Sequence, residues 1–446
     1  MATDQYIYIT AVNEVTKEEI WPNVVDESTI PKFFLGMINE DSSDIYAGRA
    51  SGTPKQTQSV GGDSYYTRIK IKTQKAGGMG PRGHGQALPT ARLAAWTETQ
   101  INLARLYTRA EYDGPVNKLA NPVQVVDAVQ DAANDLRDNI QYMRNAMYTG
   151  NSNDAIGLHD STAGSADTTT LHMQLDEWWP GTGRLRQGLY IDSYNGVTGY
   201  GTGTQGINSA YISAITSATV CTSSATIASD RGDYIMFEDG NGSLIDSAVQ
   251  GIGALVDGPQ SSDGTTWNTG GGQANTTCQG IDGTSLAYWQ STVHDNGGTD
   301  RYLDGDLIED MGQAIVRKCG GENLFEKGGY ILFSCPELRT RFRKDESRDV
   351  SWVNKTRVVA GVKVVDQLVN GVEVPWVTDI MCGAQCLYFL HIPDFVVKGL
   401  PMETMDNPPW QRVQGYDYYR MEVKKYDQLG IRRRDTHGVI RNLTQT

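Results

Sequence analysis

Residues 77–85 read GGMGPRGHG, and Gly78, Gly80 and Gly83 fall on the G-x-G-x-x-G spacing that lets backbone N–H groups meet a dinucleotide pyrophosphate. That chemistry needs a buried strand before the glycines and a helix opening on them. The preceding stretch, YYTRIKIKT, instead alternates Tyr66, Arg68, Lys70 and Lys72 against Thr67, Ile69 and Ile71, the pattern of a half-exposed antiparallel strand. Pro81 removes a backbone donor, and Pro89 keeps a helix from opening at Gly83. A second match, Gly201, Gly203 and Gly206, lies in a Gly/Thr/Ser-rich stretch. Neither is read as a cofactor site.

The remaining reactive residues do not converge. The six histidines are scattered and accompany no H-E-x-x-H, G-x-S-x-G or Walker pattern. Asp304 with Asp306, and Glu309 with Asp310, sit where helix capping and the helix dipole account for them. None of the six cysteines forms a C-x-x-C pair, and they are read as free thiols acting as small hydrophobes. Asp239, Asn241 and Ser243 imitate a calcium loop, but Leu244 and Gln250 occupy positions that need glycine and glutamate. The RGD at 231–233 starts a strand and has no other support as an adhesion motif. No catalytic residue, cofactor or metal is expected. One enzyme reading survives, a glycan-active β-rich protein using Trp178, Trp179, Trp267 and Trp289 as aromatic platforms.

The elements that would position any site begin with residues 1–45, an extended arm with scattered apolar residues, Trp21 among them. Residues 46–112 read as a long hairpin with a glycine-rich tip. The strongest element is a helix at about 121–149: Asn121 caps it, Pro122 is its first residue, and Gly150 stops it. Its apolar stripe runs through Val125, Val129, Leu136, Ile140, Met143 and Met147. Short β-like pieces follow in a Gly/Ser/Thr/Asn/Asp-rich stretch. Asp306 is read as the cap of DLIEDMGQAIVRKCGG, YILF as a buried strand, and Ser334 with Glu337 as a capping box. Asn370-Gly371 should turn a hairpin, and a β-rich end closes the chain.

The 446 residues carry 39 basic and 53 acidic side chains, a net −14. Residues 151–300 hold fourteen aspartates and two glutamates against three arginines, so nearly all the excess lies there. No basic patch of nucleic-acid-binding size stands out, and Arg339, Arg341, Arg343 and Lys344 read as a solvated face or subunit contact. No run is long and apolar enough to span a membrane, and the first twenty residues lack a secretory pattern, so no membrane is expected.

In order, these elements resemble a tailed-bacteriophage major capsid protein of the Hong Kong 97-type fold. SVGGDSYYTRIKIKTQKAGGMGPRG is similar to its extended-loop hairpin, LANPVQVVDAVQDAANDLRDNIQYMRNAMYTG to its spine helix, and GIGALVDGPQ through LIEDMGQAIVRKCGG to the approach to its axial domain. GYDYYRMEVKKYDQLGIRRRDTHGVIRNL looks like its last peripheral strands. The resemblance implies an α+β fold with an N-terminal arm (1–45), hairpin (46–112), peripheral domain with spine helix (113–184), β-rich acidic insertion (185–250), axial domain (251–395) and C-terminal peripheral strands (396–446). The insertion is expected to be a solvent-exposed elaboration whose deletion spares folding.

The same resemblance implies self-assembly into hexamers and pentamers of an icosahedral shell around viral double-stranded DNA, built in the host cytoplasm and contacting the packaged DNA without sequence specificity. Implied partners are a separate scaffolding protein, because the hairpin begins too early for a fused scaffolding segment, with a portal protein and a cement or decoration protein. Candidate subunit-contact residues are Trp21, Lys70, Lys72, Gly78, Gly80, Arg82, Gly83, Arg339 and Arg343. Some members join a loop lysine to a neighbour's asparagine. Lys70, Lys72 and Lys75 lie on the hairpin here, with no matching asparagine or carboxylate identified. The alternatives are a virion fibre or adhesin subunit and the glycan-active enzyme.

Overall fold

The computed structural model describes residues 66–74, 87, 90, 93, 95–102, 104–113, 122–150, 155–159, 168–194 apart from 177, 205–227, 234–238, 251–257, 277–282 apart from 280, 289–346 apart from 322, 356–359, 362–399, 403–404, 411–412 and 418–444. The chain opens with β1 (Tyr66–Gln74), β2 (Ala95–Asn102) and β3 (Ala104–Asp113), followed by α1 (Pro122–Tyr148). Next come β4 (Ala155–Leu158), β5 (Thr168–His172), β6 (Tyr190–Tyr194), β7 (Gln205–Ile215), β8 (Val220–Ile227) and β9 (Tyr234–Phe237). The short β10 (Thr277–Cys278), β11 (Ile281–Asp282) and β12 (Thr292–His294) lead to α2 (Gly305–Lys318), β13 (Tyr330–Ser334) and α3 (Pro336–Glu346). The chain continues through β14 (Thr356–Val359), β15 (Val362–Val369), β16 (Val372–Thr378), β17 (Leu387–His391) and β18 (Phe395–Gly399). It closes with β19 (Glu403–Thr404), β20 (Gln411–Arg412), β21 (Tyr418–Ile431) and β22 (Gly438–Ile440).

The described strands form three main sheets and two two-stranded ribbons, β1–β2 and β10–β11; among the described residues β1 and β2 pair only with each other. β21, fourteen residues long, pairs with β3, β18, β19 and β20 in a five-stranded sheet. The ribbon pairing therefore ends sooner than residue 112: β2 ends at Asn102, and β3 runs antiparallel to β21 from Ala104↔Asp427 to Asp113↔Tyr418. A seven-stranded sheet runs β12-β22-β17-β13-β16-β15-β14. β22 thus takes the end of the expected peripheral segment into a second sheet. β13 is buried on both faces, which its continuous apolar run requires. Ile331 and Phe333 face one core with Leu390 and Val439, whereas Leu332 faces another with Met311, Ile315, Leu338 and Phe342 of α2 and α3.

The third sheet, β4-β9-β6-β7-β8-β5, starts at Ala155, well before the expected insertion boundary of 185. It is no exposed elaboration. Period-two alternation puts Ile191, Ala210, Ile212 and Cys221 on one face, and that face packs on Tyr142 and Ala146 of α1. The opposite side of α1 sets Met147 and Tyr148 against Ala104, Leu106 and Leu429 of the five-stranded sheet. Residues 136–148 of the helix are consequently enclosed all round, and even Arg137, Gln141, Arg144 and Asn145 are buried. Deleting residues 185–250 would remove four of the six strands and bare this helix, so the expectation that folding survives is withdrawn.

Local chemistry sets the joints. The N-cap of α2 is Asp304, whose carboxylate accepts from Leu307 N at 2.8 Å; Asp306, the expected cap, sits in the first turn, where the helix dipole favours it. The expected capping box at Ser334 does not form. Ser334 is the buried last residue of β13, and its hydroxyl accepts from Trp376 Nε1 at 2.9 Å and donates to Cys335 O. Asn370 and Gly371 turn the β15–β16 hairpin at φ 48° and 76°, as the pair predicts, and Asn370 N ties the turn to Glu309 of α2 at 2.8 Å. Gly251 meets the end of α1 so closely that an added Cβ would lie 2.2 Å from Gly150 O.

Arg184 locks the enclosed end of α1. It is 1% exposed, and its guanidinium donates to Met381 O at 2.9 Å, Thr149 O at 3.2 Å and Trp178 O at 3.4 Å. It also lies over the Trp179 ring. Thr149 O is one of the carbonyls a helix end leaves without an intrahelical partner, where a cation is favoured.

Candidate functional site

Two surfaces and one internal joint emerge. The first surface is the β1–β2 ribbon. Eight residue pairs hold it, Lys70 opposite Glu98 and Lys72 opposite Trp96, giving a length of roughly 25–30 Å at 3.3–3.4 Å per residue. A two-stranded ribbon is marginal in water unless it packs on something else. Beyond it Leu93 is 89% exposed. Lys70 and Lys72 are placed by their backbone pairing; Trp21, Gly78, Gly80, Arg82 and Gly83 lie outside the described residues.

The second surface is the outer side of α3. Leu338 and Phe342 face the core, which turns Arg339, Thr340, Arg343 and Lys344 outward around a shallow concavity of about 340 Å³. Arg339 is half-buried and donates to Trp376 O at 3.3 Å; burial, then the like charge of Arg343, holds its pKa below the usual arginine value. Arg339 and Arg343, the candidate contact residues, stand at i, i+4 on α3; that Thr340 and Lys344 complete the concavity needs the helix phase.

The joint is where the chain crosses twice between the seven- and five-stranded sheets, at 392–394 and at 432–437. The two crossings lie side by side and are sewn together. Arg432 N donates to Asp394 O at 2.8 Å, Thr436 Oγ1 to Asp394 Oδ2 at 2.6 Å, and His391 N to His437 Nδ1 at 3.2 Å. His391 Nδ1 is 2.7 Å from Asp394 Oδ2, and Tyr330 OH donates to Thr436 O at 2.8 Å. Arg434, fully buried, donates to Leu255 O at 2.7 Å and Trp289 O at 3.2 Å. None of this was legible as a site, because its members are scattered histidines and a basic run of ordinary appearance.

Burial is the main reason His437 is pushed down to about 3, with the nearby guanidiniums adding and Asp394 opposing. Burial raises Asp394, but its bonds from His391 and Thr436 outweigh this and hold it below the usual carboxylate range. The linkage follows in sign. The unfolded chain binds the His437 proton below about pH 6.5 and the folded chain only near 3, so stability is fully present above 6.5 and falls between these limits by up to about 1.4 kcal/mol per pH unit. Asp394 adds a loss as pH falls through its lowered folded value. Urea midpoints of the wild type should drop steadily from pH 6.5 to 4.5, and His437→Gln should flatten that slope by about one proton; equal slopes would refute the assignment.

Among the described residues no group of three or more His, Cys, Asp or Glu is placed to hold a metal ion. Burial pushes the Cys221 thiol up to about 12, and burial with Asp435 does the same to Cys319. The tryptophan platforms are overturned. Trp178 and Trp179 are 7% and 1% exposed and Trp289 is fully buried, its indole donating to Cys278 O at 3.1 Å; Arg441 stacks on Trp178 at 4.4 Å. They are core residues: Trp178 and Trp179 pack with Tyr234 and Met236, and Trp289 with Leu255, Phe333 and Leu390. Trp267 and the calcium-like loop from Asp239 lie outside the described residues.

No family model matches the sequence, and no curated protein matches it. Among solved structures, the chain is similar to the bacteriophage PhiM1 mature capsid at 11% identity and TM-score 0.39, covering 89% of this chain and 88% of that one. Similarity to the structure named for Mycobacterium phage Patience is 8% identity and TM-score 0.40, over 100% and 95%. Similarity to the Cyanophage A-1(L) capsid asymmetric unit is 13% identity and TM-score 0.48, over 86% of this chain and 90% of that chain.

Proposed function

We propose that this chain is a major capsid protein of a tailed bacteriophage, a structural and non-enzymatic subunit that assembles into hexamers and pentamers of a closed shell around double-stranded DNA. The observation that carries the reading is the β1–β2 ribbon, which among the described residues pairs with no other strand. Such a ribbon is marginal by itself, so packing on a neighbouring copy would stabilise it. The order of ribbon, long helix, enclosed sheet, capped helix, buried strand and second helix is the order the sequence resemblance implies.

The expected setting is the virion capsid, assembled in the host cytoplasm. Scaffolding, portal and decoration proteins are its partners, and the packaged DNA is contacted without sequence specificity. Heterologous contacts between copies close into rings of five and six. The test is electron microscopy and sedimentation of the full chain, expressed with and without its neighbouring genes. Closed shells or five- and six-membered rings are expected. A chain that stays monomeric, or forms trimeric rods, would sink the proposal.

A further inference from the structure

The outward side of α3 has two flanks. At 100° per residue, with Leu338 and Phe342 inward, Arg341 and Asp345 fall on one flank and Arg339 and Arg343 on the other, with Thr340 and Lys344 between. The first flank is internally satisfied: Arg341 Nε donates to Asp345 Oδ2 at 2.8 Å, and its guanidinium stacks on Tyr302 at 5.1 Å. That contact turns this flank toward the start of α2. The second flank presents Arg339, Arg343 and Lys344 around the concavity, and among the described residues Arg343 has no carboxylate within ion-pair distance.

A complementary surface exists on the same layer. α2 and α3 cover the same face of the seven-stranded sheet. At the start of α2, Asp300, Asp304, Asp306 and Asp310 are all exposed. Arg301, the cation among them, is directed inward to His294 O at 2.8 Å. The acidic turn faces the satisfied flank of α3, and the cationic flank points away from it, so the two patches do not meet within one chain. In a head-to-tail contact they do.

We propose that the cationic flank of α3 receives the carboxylates opening α2 of a second copy of this chain, forming one repeated contact of the ring. This rests on the shell reading for the presence of neighbouring copies. Each exposed pair is worth little alone, but a contact repeated around a ring acts cooperatively, and rim charges govern encounter rate and salt dependence.

The test compares four full-length chains expressed with their assembly partners: wild type, R343E/K344E, D306K/D310K, and the fourfold variant carrying both pairs. Rings and shells are counted by electron microscopy and sedimentation, and thermal unfolding is followed in parallel. Each paired variant should give at least about tenfold fewer rings or shells with a melting midpoint within a few degrees of wild type, D306K/D310K being slightly lower because Asp306 leaves the first turn of α2, and the fourfold variant should recover wild-type yield. If reversal destabilises a chain, R343Q/K344Q replaces it with the same expected direction. Paired variants that assemble like wild type, or a folded fourfold variant that stays defective, would overturn the contact and leave the shell reading intact. A wild type that forms neither rings nor shells would overturn both.

Discussion

Arg184→Ala should lower the folding stability of the subunit by about 3–5 kcal/mol in urea or guanidinium unfolding. The side chain is fully enclosed and its guanidinium serves the carbonyls of Thr149, Trp178 and Met381, which belong to three separate segments. Truncation leaves buried acceptors unpaired, each at about 1–3 kcal/mol, and opens a cavity beside Trp179. Arg184→Met, which keeps the volume, should recover the packing share and lose the hydrogen-bond share. Burial holds the guanidinium below the usual arginine pKa, and nearby thiols, Tyr388 and Asp379 partly offset this. A loss under about 1 kcal/mol for the alanine variant would show that the end of α1 is held by other means.

Excising the ribbon should have the opposite profile. Replacing residues 67–101 by a short Gly/Ser linker removes a unit that, among the described residues, has no strand partner in the body. Its melting midpoint should stay within a few degrees of wild type, because surface changes away from buried features are usually within about 0.5 kcal/mol. Shell yield should fall at least about a hundredfold, since each ring contact loses an interface element and the losses multiply around the ring. A ribbon-less chain that still forms closed shells would remove the main support for the assembly reading.

What was readable from sequence was local. The helix at Pro122–Tyr148 announced itself through Asn121, Pro122 and Gly150, the hairpin at Asn370-Gly371 through its turn chemistry, and β13 through its unbroken apolar run. The departures are all long-range or a residue or two out of phase. The chain passes from ribbon to sheet between β2 and β3 because β3 finds β21 some three hundred residues later, and nothing in the sequence near β3 encodes that partner. The acidic composition of 151–300 suggested exposure, yet alternation at Ile191, Ala210 and Ile212 was enough to bury one face of the sheet on α1. Tryptophans in a polar stretch resembled platforms, but their partners lie far along the chain: Trp289 packs against Phe333 and Leu390, and Trp178 and Trp179 against Tyr234 and Met236. On the proposed contact surface, Arg339 and Arg343 were visible as a basic run; only the phase of α3 separates them from Arg341, which is spent on Asp345 and Tyr302.

The place of β21 sets a timetable for the newborn polypeptide. Every strand of the five-stranded sheet pairs with it, and its partner β3 is complete by Asp113. At bacterial-like translation speeds of about 5–20 residues per second, β3 waits roughly 15–60 s on or near the ribosome before Tyr418–Ile431 emerges to pair with it. During that interval α1 lacks one of its two covering sheets and the high-contact-order closure has not begun. A nascent chain therefore cannot present a finished body until this strand has been made, and on the proposed shell function recruitment into a particle is restricted to chains whose synthesis has passed residue 431.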